Sequence, residues 1–586
     1  MENVDIAKTF EEIADLLEIR GEKQDVFRVR SYRNAALVIG GLPESLRSIV
    51  ERDEKGLEDI KGIGTSIHEK IVEMLKTGKC KFHDKLLKEL PPGLLELLEL
   101  SGVGPKKVQL LYDSLGIKGI EELEKAARQG KLRDLPHMGE KTEEKILKAI
   151  QEFKGRKGRF RLSLALAYAE PLVAYLKKIP GVIEAEPAGS LRRWKDTIGD
   201  VDILVTCKKG APVMDRFVKY PDVREIIAKG DTKSTVMLRS NLQVDVRVLD
   251  EKSFGAALQY FTGSKAHNIA LRDRAKRMGL KVSEYGVFDE KPAPEGFNQG
   301  TDKWLAGRSE EDVYKAVGLP LIPPELRENT GEIEAAEKDK LPRLVEVQDI
   351  KGDLHMHTSE SDGIHTLKEM IAYAIQKRYE YIAVTDHSKA VGIAHGLDEE
   401  RVLKQTKEID KINSQLKSFR ILKGAEVDIK TDGSLDLDAD VLKRLDVVVA
   451  AVHSKFNMTQ EEMTDRIEKA MATGLVNIIA HPTGRLVGVR EPYPVDMPRL
   501  LLAAKKYGVM LELNSYPDRL DLNDSHCRLA KDMGVMVTIS TDSHNRQHLD
   551  YIRFGVHTAR RGWLEKKDVL NTRSVTEVLK ILRGSR

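Results

Sequence analysis

At 586 residues the chain is too long for a single core, and about three to five domains are expected. Hydrophobic residues make up 41%, as in ordinary globular proteins, and charged residues 32%; the net charge of +3 is too small to mark a nucleic-acid partner by itself. Cys80, Cys207 and Cys527 are far apart, which excludes a disulfide framework and suits a reducing cytoplasm. The acidic amphipathic start lacks the pattern of a signal peptide, and no apolar run reaches membrane-spanning length.

In chain order, residues 1 to about 155 read as helices, with apolar positions three and four apart, such as Ile67, Ile71, Met74 and Leu75. Pro91, Pro92 and Gly93 mark a break. Basic residues are dense at 20–33 and 154–161, which alone reads as solvated surface. A helix is expected at 162–179 and strands near 182–188, 200–207, 235–239 and 243–249. A polar stretch from 325 to about 348 reads as a linker, and beyond it strands and helices alternate as in a βα barrel.

Within the helical part, "IKGIGTSIHEKI" (60–71) and "LSGVGPKKVQLL" (100–111) share a Gly-x-Gly turn opening a helix: Gly62 and Gly64, then Gly102 and Gly104. "LPHMGEKTEEKI" (135–146) keeps the second glycine but has His137 at the first. Such turns present backbone N–H groups beside a helix N-terminus, which suits a phosphate without reading bases. They resemble helix-hairpin-helix motifs. A glycine-capped helix pair is the bland alternative, and its recurrence favours DNA-backbone binding.

In "GDVDILV" (199–205), Asp200 and Asp202 alternate with apolar residues, so both share one face of a strand. Asp245 lies in a second alternating strand, "LQVDVRVLD". Three carboxylates on neighbouring strands can hold two hard cations, the arrangement of phosphoryl and nucleotidyl transfer. Upstream, "GSLRRW" (189–194) offers a tight turn for a phosphate, with Arg192 or Arg193 to neutralise it.

These segments, followed by "YFTGSKAHN" (260–268), closely resemble family X DNA polymerases across residues 1–325. The resemblance implies that Asp200, Asp202 and Asp245 bind two Mg²⁺ or Mn²⁺ ions, with Asp245 helping to deprotonate the primer 3′-OH. It implies that Ser190 and Arg193 hold the triphosphate beside Gly199, that Tyr260, Phe261 and Gly263 line the sugar pocket, and that Asn268 touches the base. Arg272 falls at a minor-groove position. Lys265 and Gln243 depart from the beta-type pattern. In the N-terminal helices Lys70 matches the family's Schiff-base lysine, and Arg28 and Tyr32 match its pocket, while Ser66 replaces a phosphate-binding lysine. Lyase chemistry also needs a depressed lysine pKa.

Beyond residue 350 lie eleven of the 15 histidines. His355 and His357 alternate in "GDLHMHTSESDG", where Asp362 can join them. Successive apolar runs end in or carry His387, Glu426, His453, His481, and Asp542 with His544. In a βα barrel the C-terminal strand ends converge on one face, so these residues should meet. Imidazole and carboxylate together suit two or three Zn²⁺ or Mn²⁺ ions. Of about seven strands, "VMLELN" (509–514) carries no obvious ligand. This half resembles the PHP phosphoesterase domain, all nine of whose ligand positions match here. That implies metal-dependent phosphodiester cleavage: 3′–5′ exonuclease, 3′-end processing or abasic-site incision.

The expected architecture is therefore multidomain. A helical lyase-like domain (1–90) precedes a helix-hairpin-helix domain (91–155), an α+β nucleotidyltransferase palm (156–250) and a nucleotide-selection thumb (251–325). A linker (326–350) then leads to an α/β distorted (βα)7 PHP barrel (351–586). The expected function is gap filling in base excision repair by a monomer acting on gapped or nicked DNA with dNTPs, away from membranes. The alternative is a DNA-end-binding module with a vestigial transferase and a metal-stabilised scaffold.

Overall fold

The computed structural model describes residues 3–40, 46–58, 60, 62–91, 93–98, 100, 102–136, 138–156, 158–207, 211–289 and 303–584. His137 of the third glycine motif and Pro92 of the predicted break lie outside the described residues. The chain divides into two compact units, residues 1–157 with 489–491, and residues 158–488 with 492–586.

The first unit is helical. Ile6, Phe10, Ile13 and Leu17 line one face of Asn3–Arg20 and open an apolar core that runs without interruption to Ile150. That continuity crosses the predicted boundary at residue 90. Both Gly-x-Gly turns adopt the same backbone. Gly62 and Gly102 take the left-handed conformation, and Gly64 and Gly104 are extended N-caps of Thr65–Thr77 and Pro105–Leu115. Pro105 suits the first helical turn, where its missing N–H costs no hydrogen bond.

The second unit opens on a five-stranded sheet in the order Val182–Pro187, Asp200–Cys207, Gln243–Leu249, Lys233–Leu238, Val223–Lys229. The last of these strands was not foreseen. The two strands bearing aspartates pair in parallel, and the remaining pairs are antiparallel. Val201, Ile203 and Val205 pack against helix Leu162–Lys177, which turns Asp200 and Asp202 to the opposite face. Helices Phe254–Thr262 and Lys265–Arg277 then lead to a three-stranded antiparallel sheet and helix Glu310–Ala316.

The stretch predicted as a linker is folded. Helix Glu332–Glu337 lies within it, and Leu326, Ile333, Ala336 and Leu344 share a core with Val313 and Trp563. Three of its charges, Glu325, Arg327 and Glu332, are buried and paired, while those from Glu334 to Glu346 face solvent. Arg327 is 0% exposed and bonded to Glu310, and Glu332 is 0% exposed, 2.6 Å from His267. A buried ion pair and a solvated one read alike in a sequence.

Seven parallel strands follow in chain order: Gly352–Asp353, Tyr381–Val384, Arg420–Asp428, Val447–Ala451, Ile478–Ile479, Met510–Asn514 and Val537–Ser540. Their side chains are almost all buried, the mark of a parallel sheet covered on both faces. A parallel bridge between Met356 and Ser543 joins the two ends of the sheet at its C-terminal rim. Lower down, buried Asn571 bonds the carbonyls of Gly352 and Ile539 and the N–H of Ile539, tying the first strand to the last. Among the described residues, no helix is long and apolar enough to cross a membrane.

Candidate active sites

Period-two alternation sets the palm. Asp202 and Asp245 are register partners on adjacent parallel strands, with Asp200 two residues before Asp202. Asp245 accepts from Thr235 Oγ1 and, at 3.0 Å, from Gln243 Nε2, and Lys233 Nζ lies 3.4 Å away. Burial works to raise Asp245, but these donors and the lysine charge hold it below the usual carboxylate range. Asp202 moves the other way: burial first, then the charges of Asp200 and Asp245, push it up to about 6. Three carboxylates that repel one another fit divalent cations, which would relieve the repulsion.

Gly189 is required beside them. Its φ is +61°, and a Cβ there would meet Asp202 Oδ2 at 2.8 Å. Ser190 begins the short helix Gly189–Arg192. Arg192 pairs with Glu310 at 2.7 Å and Arg193 with Glu328 at 2.9 Å; Arg193 also donates to the Thr262 carbonyl at 2.7 Å. Gly199 precedes the aspartate strand. Tyr260 and Phe261 sit edge to face, with Arg247 stacked over Phe261 at 4.5 Å. Asn268 donates to the Tyr260 carbonyl at 2.6 Å and accepts from Gln259 at 3.1 Å. A Cβ on Gly263 would fall 2.5 Å from Asn268 Oδ1. Arg272 Nε donates to the Asn268 carbonyl at 3.3 Å. Tyr260, Asn268 and the predicted minor-groove residue Arg272 are thus tied into one hydrogen-bonded group, with Phe261 packed beside it through its ring.

In the helical unit, Lys70 Nζ donates to the Ser66 carbonyl and hydroxyl, both at 3.0 Å, and lies over the rings of Tyr32 and Phe82. Arg28 stacks on Phe82 at 4.7 Å. The structure therefore brings Lys70, Tyr32 and Arg28 together, and adds Phe82, which sequence reasoning missed.

All nine predicted barrel ligands meet at the C-terminal rim. Three groups bring their ligand atoms within 4.8 Å of one another: His357, Asp362, His387 and His544; His355, His357 and Asp542; and His387, Glu426 and His453. His481 joins through Nε2, 3.0 Å from Glu426 Oε1. Glu426 is central, also 2.9 Å from His387 Nδ1 and 3.4 Å from His355 Nε2. His387 Nδ1 and Glu426 Oε2 are nevertheless both buried without a hydrogen bond, as is Nδ1 of His357. Close buried lone pairs without hydrogen bonds are what a divalent cation would satisfy, and this His–carboxylate donor set suits Zn²⁺ or Mn²⁺.

The electrostatics agree. Burial opposes charge on His387, but Glu426 and Asp362 outweigh it and raise the imidazole to about 10. His357 is pushed down to about 3 by burial and by the positive charges of His544 and His387. His355, His453 and His544 are shifted upward as well, burial again being outweighed by neighbouring carboxylates, and cations bound there would displace the imidazole protons.

Sequence reasoning missed the groups behind the ligands. Glu512, 0% exposed on the strand that carries no obvious ligand, has Oε1 2.7 Å from His355 Nδ1, and its Oε2 accepts from the His481 N–H at 2.8 Å. Asp428 lies 3.2 Å from His453 Nδ1, and Asn514 donates to Asp542 at 3.0 Å. The one available signal for Glu512 was an acid in an otherwise apolar buried strand. Asp542 itself takes a positive φ of 52°, the strained backbone common at functional sites.

Family comparisons define the class. A helix-hairpin-helix domain matches residues 1–80 and a SAM-like helix-hairpin-helix tandem 94–152. The DNA polymerase beta thumb matches 257–328 and the PHP domain 353–515. Asp542 and His544 lie beyond that last match, and folding returns them to it. The chain belongs to the family X DNA polymerases that carry a C-terminal PHP domain. It is 41% identical over 585 residues, 100% of each chain, to the DNA polymerase/3′-5′ exonuclease PolX of Bacillus subtilis. The barrel half is also similar to probable phosphatases. That of Thermoanaerobacter sp. is 30% identical over 38% of this chain and 89% of its own length, and that of Yersinia pestis 32% over 33% and 78%.

Proposed function

We propose that this chain is a DNA-directed DNA polymerase with 3′–5′ exonuclease activity, working in short-gap DNA repair. The observation that carries the reading is that one chain, alike end to end to a polymerase/exonuclease, holds two separate metal-fitting constellations, the palm aspartates and the nine barrel ligands. The substrate is gapped or nicked double-stranded DNA with dNTPs, and the protein works as a cytoplasmic monomer.

In the palm, Asp200, Asp202 and Asp245 would hold two Mg²⁺ or Mn²⁺ ions, which supply charge stabilisation at the attacking and leaving oxygens. Asp245, kept ionised by Thr235, Gln243 and Lys233, accepts the proton of the primer 3′-OH. Ser190 and Arg193 hold the triphosphate, Tyr260, Phe261 and Gly263 bound the sugar, and Asn268 and Arg272 meet the base and the minor groove. In the barrel, the nine ligands would hold two or three Zn²⁺ or Mn²⁺ ions, with Glu512 and Asp428 fixing imidazole orientation. This site shortens 3′ ends and, in the same chemistry, incises at abasic sites. The hairpin glycines Gly62, Gly64, Gly102 and Gly104 grip the DNA backbone. Lys70, with Arg28 and Tyr32, supports a 5′-deoxyribose phosphate lyase step.

The test is a 5′-labelled primer on a one-nucleotide gap with a downstream 5′-phosphate, with Mg²⁺ or Mn²⁺. Templated addition lost only in Asp245→Ala, with shortening lost only in His355→Ala, is the expected result. Binding without addition in either metal would remove the polymerase reading.

A further inference from the structure

The turn that follows the predicted triphosphate loop is held by the barrel. Four successive residues, Arg193 to Asp196, join helix Gly189–Arg192 to the short strand Thr197–Ile198, and three of them are engaged by PHP side chains or their neighbours. Arg561, at the end of barrel helix Ile552–Arg561, donates through Nη1 to the main-chain carbonyl of Arg193 at 2.8 Å. The same nitrogen lies 3.1 Å from Glu328 Oε1, the carboxylate oxygen that receives Arg193 Nε at 2.9 Å. Arg193 is therefore gripped twice, on its backbone and, through Glu328, on its guanidinium. Trp194, at a positive φ of 54°, lies flat on His557 of the same helix, 3.7 Å between ring centroids and 6° between planes, with Phe554 at its edge. Asp196 pairs with barrel Arg485 at 3.2 Å.

Arg561 is itself fixed. Its side chain is 4% exposed, and its other terminal nitrogen is bonded to Asp524 on barrel helix Asp524–Met533. A guanidinium whose planar fork is committed to three acceptors acts as a bracket rather than a mobile charge. An arginine buried to this degree is rare unless paired, and here the pairing spans two domains.

We infer that Arg561 of the PHP barrel is a positioning residue for nucleotide binding in the palm, holding Arg193 in the geometry that receives the triphosphate. The barrel is thereby a structural part of the polymerase site as well as a nuclease. This rests on the reading of Arg193 as a triphosphate ligand.

The experiment uses the full chain and measures KM for dNTP and kcat in single-nucleotide gap filling, alongside primer shortening and affinity for gapped DNA. Arg561→Gln should raise KM about tenfold, the effect of one or two charge-assisted hydrogen bonds, with kcat and DNA affinity little changed. Arg561→Lys, which keeps the charge but not the fork, should give an intermediate KM and guards against a variant that fails to fold. The double variant with Arg193→Ala should be no worse than Arg193→Ala alone, because both act through one side chain. An unchanged KM in Arg561→Gln, beside a raised KM in Arg193→Ala, would overturn the inference and leave the nucleotide reading standing. An unchanged KM in Arg193→Ala would instead remove the nucleotide reading itself. Parallel loss of synthesis and shortening in both Arg561 variants would show a role in folding alone and also overturn the inference.

Discussion

His355 Nδ1 lies 2.7 Å from Oε1 of Glu512, a carboxylate contributed 157 residues later from the sixth barrel strand. The contact fixes the imidazole so that Nε2 faces the ligand cluster, where it lies 3.3 Å from Nε2 of His357. The other oxygen of Glu512 holds the backbone of His481, so one buried acid positions two of the proposed ligands.

Glu512→Gln keeps the volume but weakens both roles. Metal affinity and exonuclease activity should fall roughly 10- to 100-fold, the usual cost of losing a carboxylate behind a histidine ligand. Metal content by mass spectrometry and a primer-shortening assay check this, with gap filling retained.

Gly189→Ala should disable synthesis selectively. The left-handed φ of +61° costs a side chain roughly 1–2 kcal/mol, and the new Cβ would press on Asp202 Oδ2 from 2.8 Å. Polymerase kcat/KM should drop about tenfold or more while shortening continues. Steady-state gap filling measures the first and the labelled-primer assay the second.

Glu310 couples stability to pH. Burial works to raise it, but Arg192 and Arg327 hold it at about 2 against an ordinary 4.5. A depressed carboxylate stabilises the fold above its unfolded pKa and loses that contribution as pH falls through the folded one. Roughly 3 kcal/mol should therefore disappear between about pH 4.5 and pH 2. Glu310→Gln should already be about 3–5 kcal/mol less stable at neutral pH, because buried Arg327 loses its partner, and should show a shallower acid limb. Thermal unfolding of both proteins across that pH range tests the sign.

Asn571→Ala should loosen the barrel seam. It strands the N–H and carbonyl of Ile539 and the carbonyl of Gly352 in a buried place, at roughly 2–4 kcal/mol. Amide hydrogen exchange should accelerate in the first and last barrel strands and stay slow in the palm strands.

That the nine proposed barrel ligands meet, and that the three aspartates lie together, was legible because those signals are local. A ligand at the end of an apolar run, or two acids at period two, survives in a linear string, and topology then places strand ends together. Glu512 was not legible, since what distinguishes it is the histidine it meets. The stretch 326–350 misled for the same reason: Arg327 and Glu332 look solvated until their partners Glu310 and His267 are seen.

The sequence by itself thus determined where the two candidate metal constellations lie, because such groups need particular residue types at particular spacings. Only the tertiary structure decided how those sites are supported. Glu512 behind His355, Thr235 on Asp245 and Arg561 across the palm–barrel boundary are each defined by a partner distant or unmarked in the chain. Buried charges are stable only when paired, and a pairing exists only once the chain has folded.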